Sequence, residues 1–244
     1  MSAVLVIAGT DSSGGAGLTR DVAALAHFGI EALCAITAVT AQTDAAVLGV
    51  TRLPLEMVRA QIAAALATGR VAAVKTGMLV DGAMVEAVAD SLPPRLPLIV
   101  DPVLAATSGG ELLDGAGRTA LMKRLLPRAT LLTPNLSEAA LLLGALVAST
   151  EDEVIAQGRA LCARGAAAVL MKGGHAQLPL ATDWLLTADG ECERFTAPRV
   201  AAQQRGTGCA LATAIAAGMA AGLERAAACA RAKSYVTELL MRSA

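Results

Sequence analysis

Gly206-Thr207-Gly208-Cys209 stands directly before the apolar helical run Ala210-Leu211-Ala212-Thr213-Ala214. Two glycines let the backbone approach a ligand closely, and the first helical turn leaves its N–H groups without partners inside the helix. Such a terminus is an anion site. A phosphate held there gains about 0.3–2 kcal/mol from the helix dipole, besides its direct N–H bonds. The plainer alternative is a loop entering a buried helix. Cys209 differs from Cys34, Cys162, Cys192 and Cys229, which read as packing residues. At a helix N-terminus a thiol is expected to lose its proton more readily.

Further polar groups cluster elsewhere. In Thr133-Pro134-Asn135-Leu136-Ser137-Glu138, Asn135 and Glu138 lie three apart at a helix start. They suit a water-rich Mg²⁺ site, or else cap the helix as N-cap and N3. Asp101 follows the run Leu98-Ile99-Val100 and precedes Pro102. It is placed to hold a metal or polarise water, or to bond its own backbone in a turn. Lys172, before Gly173-Gly174-His175, is either a phosphate counter-charge or a solvated strand-end lysine. His27 and His175 sit in no nucleophile-elbow context. The segment Gly9-Thr10-Asp11-Ser12-Ser13-Gly14-Gly15-Ala16-Gly17 fits neither common glycine fingerprint. A Walker A loop needs Lys where Gly15 stands, and a dinucleotide loop needs Gly where Arg20 stands. It is a ligand loop of another type, or a tight turn.

These residues need a scaffold that brings distant segments together. Strands are predicted at Val4–Ala8, Ala32–Thr40, Ala72–Lys75, Leu98–Val100, Thr130–Leu132 and Ala167–Met171. Helices are predicted at Gly15–Phe28, Pro54–Ala67, Gly82–Ser91, Ala116–Leu125, Ser137–Leu143 and Glu151–Arg164. The alternation predicts βαβ units around a mostly parallel sheet covered on both faces. Asp183–Leu186 and Glu193–Thr196 flank Asp189-Gly190 and predict a hairpin. Two helices close the chain, Cys209–Ala221 and Glu224–Met241. In such sheets ligands bind beyond the carboxyl ends of the strands. The polar clusters after six predicted strands all fall there: Gly9-Thr10-Asp11, Gln42-Thr43, Thr76-Gly77-Met78, Asp101-Pro102, Thr133-Pro134-Asn135 and Lys172-Gly173-Gly174.

Composition narrows the partners. The 244 residues are 55% hydrophobic but 2% aromatic, with net charge -1, which argues against nucleic-acid binding. No apolar run approaches the roughly 20 residues of a membrane span. Met1-Ser2-Ala3-Val4-Leu5 lacks a charged n-region, so no signal peptide is expected. Five scattered cysteines without a C-x-x-C pair argue against disulfides or structural zinc and point to the cytoplasm. One domain, 1–244, is expected, without repeats.

Taken in order, the motifs resemble the hydroxymethylpyrimidine/phosphomethylpyrimidine kinases of thiamine biosynthesis, within the ribokinase-like superfamily. The matching stretches are Ala8–Gly17, Thr40–Thr43, Lys75–Leu79, Asp101–Val103, Thr133–Ala139, Met171–His175, Asp183–Leu185 and Gly206–Cys209. The resemblance implies a three-layer α/β fold and ATP- and Mg²⁺-dependent phosphorylation of the pyrimidine alcohol and then of its monophosphate. It implies that Gln42 binds the ring, with Gly9, Asp21, Met78 and Val103 in that pocket. Asp101 and Glu138 would serve the metal, and Asn135, Lys172 and Thr207 the ATP. Gly206, Thr207 and Gly208 would form the anion hole, with Cys209 where related kinases carry an aspartate base. A homodimer is implied too. Arg205 stands where family members often have His, and Ser12 where Pro is common. The rivals are a pyridoxal kinase of the same superfamily and a pyrimidine-binding sensor without catalysis.

Overall fold

The computed structural model describes residues 2–105, 110–174, 180–201 and 204–243; His175 lies outside them. The strands are β1 (Ala3–Asp11), β2 (Glu31–Gln42), β3 (Val47–Arg52), β4 (Val71–Thr76), β5 (Leu98–Val100), β6 (Leu131–Leu132), β7 (Ala168–Lys172), β8 (Leu180–Thr187) and β9 (Cys192–Pro198). The helices are α1 (Gly17–His27), α2 (Leu55–Ala67), α3 (Gly82–Ser91), α4 (Gly115–Ala120), α5 (Leu136–Leu143), α6 (Glu151–Ala163), α7 (Thr207–Ala220) and α8 (Arg225–Met241).

All nine strands form one sheet in the order β3-β2-β1-β4-β5-β6-β7-β8-β9. The strands from β2 through β7 in this order run parallel, and β3, β8 and β9 join antiparallel. The chain moves outward from β1 to β2 and β3, then returns to place β4 on β1's other side. The crevice between β1 and β4 is therefore a topological switch point, where open sheets bind ligands.

Alternation along β1 divides the core. Val4, Val6 and Ala8 pack on one face with Leu25 of α1, Leu211 and Ile215 of α7 and Ala228 of α8. Leu5 and Ile7 pack on the other with Val58 and Ile62 of α2, Met84 of α3 and Val154 of α6. A sheet buried on both faces explains why its strands read as unbroken aliphatic runs. α7 is buried from Ala210 through Gly218, which explains its lack of a polar stripe.

The observed elements differ from expectation in several places. β3 was not foreseen in the sequence. It is a mostly exposed edge strand interrupted by Gly49, so it lacks the signature of a core strand. The helix expected over Ala116–Leu125 is α-helical only through Ala120, continuing as a π-turn at Leu121–Leu125 and a 3₁₀ turn at Leu126–Arg128. Pro127 has no N–H to donate, which favours this irregular exit. β1 and β2 run to Asp11 and Gln42, and α1 starts at Gly17. The Asp189-Gly190 hairpin is present, with Gly190 at φ 99°, and it widens the main sheet.

Candidate active site

The parallel strands deliver their polar ends to one rim. At its centre lies the mouth of α7. Gly206 caps this helix at φ 73°, a left-handed conformation that favours glycine. A β-carbon on Gly206 would overlap the carbonyl oxygen of Gly15. The first helical bond runs from the Ala210 N–H to the Gly206 carbonyl, at 2.9 Å. The amides of Thr207, Gly208 and Cys209 precede it and have no partner within the helix. Lys172, from the end of β7, brings Nζ to 3.2 Å from where a β-carbon on Gly208 would stand. A cation and a helix N-terminus thus share one spot.

Lys172 is also held between two acids. Its Nζ donates to Asp101 Oδ1 at 2.9 Å and lies 3.9 Å from Glu138 Oε2. Burial alone would lower the Lys172 pKa, but Asp101 and Glu138 more than offset it and hold the ammonium protonated. Burial pushes the Glu138 carboxyl up, against the pull of Lys172. Asn135 and Glu138 do form a capping box: Asn135 Oδ1 accepts from the Glu138 N–H, and Glu138 Oε2 from the Asn135 N–H, each at 2.8 Å. The Lys172 N–H donates to the Pro134 carbonyl at 2.8 Å, tying β7's end to this turn. Thr133 Oγ1 donates to Asp101 Oδ1 at 3.3 Å. The solvated-lysine reading of Lys172 is not what the fold shows: its side chain is 12% exposed.

Under α7 lies a fully buried ion pair absent from the sequence expectations. Lys75 Nζ donates to both Asp21 oxygens, at 3.0 and 2.9 Å, and Thr213 Oγ1 donates to Asp21 Oδ1 at 2.6 Å. Thr213 is one turn beyond Cys209, so the two share a face of α7. Burial alone would lower the Lys75 pKa, but Asp21, Cys209 and Asp101 raise it above its ordinary value. Burial pushes the Asp21 carboxyl up, against Lys75 and Thr213. Asp21, assigned to the ring pocket by the resemblance, has no exposed surface. Its carboxylate is committed to Lys75 and Thr213. A lone lysine ending the apolar run Ala72-Ala73-Val74 was the signal available for this pair.

Cys209 also departs from expectation. Burial pushes its thiol up to about 11, overriding the opposing Lys75 charge, with Asp21 and Asp101 adding to the rise. The predicted easier ionisation at a helix start does not hold in this environment.

The residues assigned to a ring pocket sit around the switch point. Gly9 faces Met78, whose Sδ would stand 3.0 Å from a Gly9 β-carbon. The Met78 carbonyl accepts from Thr37 Oγ1 at 2.7 Å. Gln42 ends β2 and accepts from Thr40 Oγ1 at 3.2 Å through Oε1. Val103 follows Asp101 with φ 34°, unusual for a β-branched residue. The Thr76 hydroxyl at β4's end is buried and has no partner among the described residues. Arg205 reaches back across the rim from the residue before the α7 cap. It pairs with buried Asp11, Nη2 to Oδ2 at 2.9 Å.

Among the described residues no three His, Cys, Asp or Glu side chains gather as a metal cage. Two carboxylates beside the α7 N-terminus suit Mg²⁺, which keeps waters and takes phosphate oxygens as ligands.

A parallel α/β sheet whose rim gathers a glycine-opened helix, a captive lysine and paired carboxylates defines a phosphotransferase of the ribokinase-like class. The chain belongs to the phosphomethylpyrimidine kinase family, whose profile matches residues 11–244. It is 45% identical over 216 residues to a hydroxymethylpyrimidine/phosphomethylpyrimidine kinase of Salmonella typhimurium, covering 87% of this chain and 81% of the relative. Among solved structures, the phosphomethylpyrimidine kinase of Clostridium difficile superposes with TM-score 0.85 at 32% identity, over 98% of this chain and 100% of that one. An ADP complex of Bacillus subtilis pyridoxal kinase superposes with TM-score 0.88 at 30% identity, over 97% and 90%. Among the described residues no helix is long and apolar enough to cross a membrane.

Proposed function

We propose that this chain transfers the γ-phosphoryl group of ATP to the hydroxymethyl oxygen of 4-amino-5-hydroxymethyl-2-methylpyrimidine. The same site then phosphorylates the monophosphate to the pyrophosphate, for thiamine biosynthesis. The observation that carries this reading is Lys172 Nζ beside Gly208 at the mouth of α7, with Asp101 and Glu138 next to it. Identity near 45% to a curated pyrimidine kinase supports the acceptor.

Phosphoryl transfer through a loose transition state asks mainly for positioning and charge stabilisation. The amides of Thr207, Gly208 and Cys209 receive the migrating group's oxygens, and Lys172 offsets their charge. Asn135 fixes the turn that presents Glu138. Asp101 and Glu138 would hold Mg²⁺, which would supply positive charge against the developing phosphate charge. Gln42 reads the edge of the ring, with Gly9, Met78 and Val103 around it. Asp21 acts from beneath, by holding Lys75. Cys209 takes the alcohol's proton as the thiolate, a minority form at neutral pH because burial pushes the thiol up to about 11.

The whole chain acts as one kinase unit, supported by the single sheet. Five free cysteines support a reducing compartment such as the cytoplasm. An exposed apolar edge at Leu48 and Val50 of β3 supports a homodimer. A monomer mass in light scattering would remove the dimer from this reading.

The pyridoxal kinase superposition is the specific observation for a second reading, because both acceptors are flat heterocycles with a hydroxymethyl group. Parallel assays decide. With ATP and Mg²⁺, mass spectrometry is expected to show the pyrimidine alcohol gaining one and then two phosphoryl groups. A much higher kcat/KM for pyridoxal would overturn the assignment, and ligand binding without ATP consumption would indicate a sensor.

A further inference from the structure

Ser12 and Arg205 both bond to the turn at Gln42–Asp44. Arg205 immediately precedes the α7 cap, and its guanidinium reaches two separate segments, 11–13 and 43–44. Nη2 donates to Asp11 Oδ2 at 2.9 Å, at the end of β1. Nη1 donates to Ser13 Oγ at 2.9 Å, to the Thr43 carbonyl at 3.0 Å and to Asp44 Oδ1 at 3.2 Å. Ser13 is itself tied to Asp11, since its Oγ and N–H both donate to Asp11 Oδ1, at 2.8 and 2.9 Å. One residue back, Ser12 Oγ donates to the Gln42 carbonyl at 2.9 Å and accepts from the Gln42 N–H at 2.8 Å. A proline at position 12 has no hydroxyl and makes neither bond.

The result is a bridge with Gln42 at one end and the anion-binding mouth at the other. The arms differ in weight. Asp44 is 90% exposed, so that arm contributes little. The Asp11 carboxylate is buried and the Arg205 side chain is 16% exposed, so that arm is fixed and charge-assisted. Both terminal nitrogens of the guanidinium are committed to protein.

We propose that Arg205, together with Ser12, is a positioning residue that clasps the Gln42–Asp44 turn to the mouth of α7 and so sets the distance between the acceptor ring and the transferring phosphate. The proposal rests on the function above for its kinetic consequence, but not for its structural one. Misplacing an acceptor by about 1 Å costs up to about 10²-fold in rate.

The test combines steady-state kinetics with hydrogen exchange on the full chain. Arg205→Ala is expected to raise KM for the pyrimidine alcohol and lower kcat, with kcat/KM falling roughly 10- to 100-fold and KM for ATP near wild type. Arg205→Lys should recover only part, because an ammonium cannot span the fork's partners. Ser12→Ala should give the same pattern more mildly, and its effect should be non-additive with Arg205→Ala. Amide exchange at residues 40–46 should accelerate in each variant. Equal rises in KM for ATP and pyrimidine, or unchanged exchange at 40–46, would overturn the clasp. If Arg205→Ala does not fold, Arg205→Lys and Ser12→Ala carry both readouts. A wild-type protein that leaves the pyrimidine alcohol unphosphorylated contradicts the proposed function, while the exchange measurement still decides the clasp.

Discussion

At Cys209 two effects of opposite sign meet. The α7 terminus and Lys75 favour the thiolate, and burial with Asp21 and Asp101 nearby favours the thiol. A helix dipole contributes at most about 2 kcal/mol even in a favourable setting. Desolvation outweighs it here, so the thiol keeps its proton at neutral pH. The sign for catalysis follows. A base whose pKa lies above the assay pH becomes more populated, by tenfold per unit, as pH rises. If the Cys209 thiolate accepts the alcohol's proton, kcat/KM climbs between about pH 7 and 9, a range over which the nucleotide phosphates are already ionised. Cys209→Ala is expected to lower kcat by about 10²–10⁴-fold and to flatten that profile. Near-normal turnover in Cys209→Ala, or an unchanged slope, would contradict the base role. Position at a helix start was legible in the sequence, but the surroundings were not, because the charges acting on Cys209 come from β4, α1 and the β5 exit.

Elements explain why glycine must open α7. Gly206 needs a left-handed backbone and also lacks room for a β-carbon against Gly15. Gly222, just past the far end of α7, has φ 88° but open space around it. The pair separates conformational strain from steric exclusion. Gly222→Ala is expected to cost about 1–2 kcal/mol of stability and leave kinase activity intact. Gly206→Ala should cost more and abolish turnover, because relieving the overlap moves the Thr207–Cys209 amides. Equal effects of the two substitutions, by thermal unfolding and steady-state assay, would contradict this reading. Element types were readable wherever burial was two-sided: β1, β5 and β7 appear as aliphatic runs, and α2, α3 and α6 as helical stretches between turn signals. β3 escaped because it is exposed at the sheet edge. The Lys75–Asp21, Thr213–Asp21 and Arg205–Asp11 contacts escaped because their partners are 54, 192 and 194 residues apart in sequence, and only the fold brings them together.

The whole molecule turns separate motifs into one site by running its central strands in parallel. Six strand ends then share a rim, which the alternating pattern already implied, and β4 crossing back beside β1 sets the crevice at Gly9 and Met78. The two aliphatic layers hold this arrangement, with α7 buried in one of them, so its mouth is fixed in place before a ligand arrives. On the proposed function, preorganised amides beside a captive lysine would stabilise developing charge without reorganising. The central claim is that the α7 mouth receives the γ-phosphoryl group. A crystal structure with Mg²⁺, a non-hydrolysable ATP analogue and the pyrimidine alcohol tests it most directly. The expected result places γ-phosphate oxygens within about 2.7–3.2 Å of the Thr207, Gly208 or Cys209 amides, with Lys172 alongside and the hydroxymethyl oxygen in line. A triphosphate bound elsewhere on the rim, with those amides turned toward protein, would contradict it.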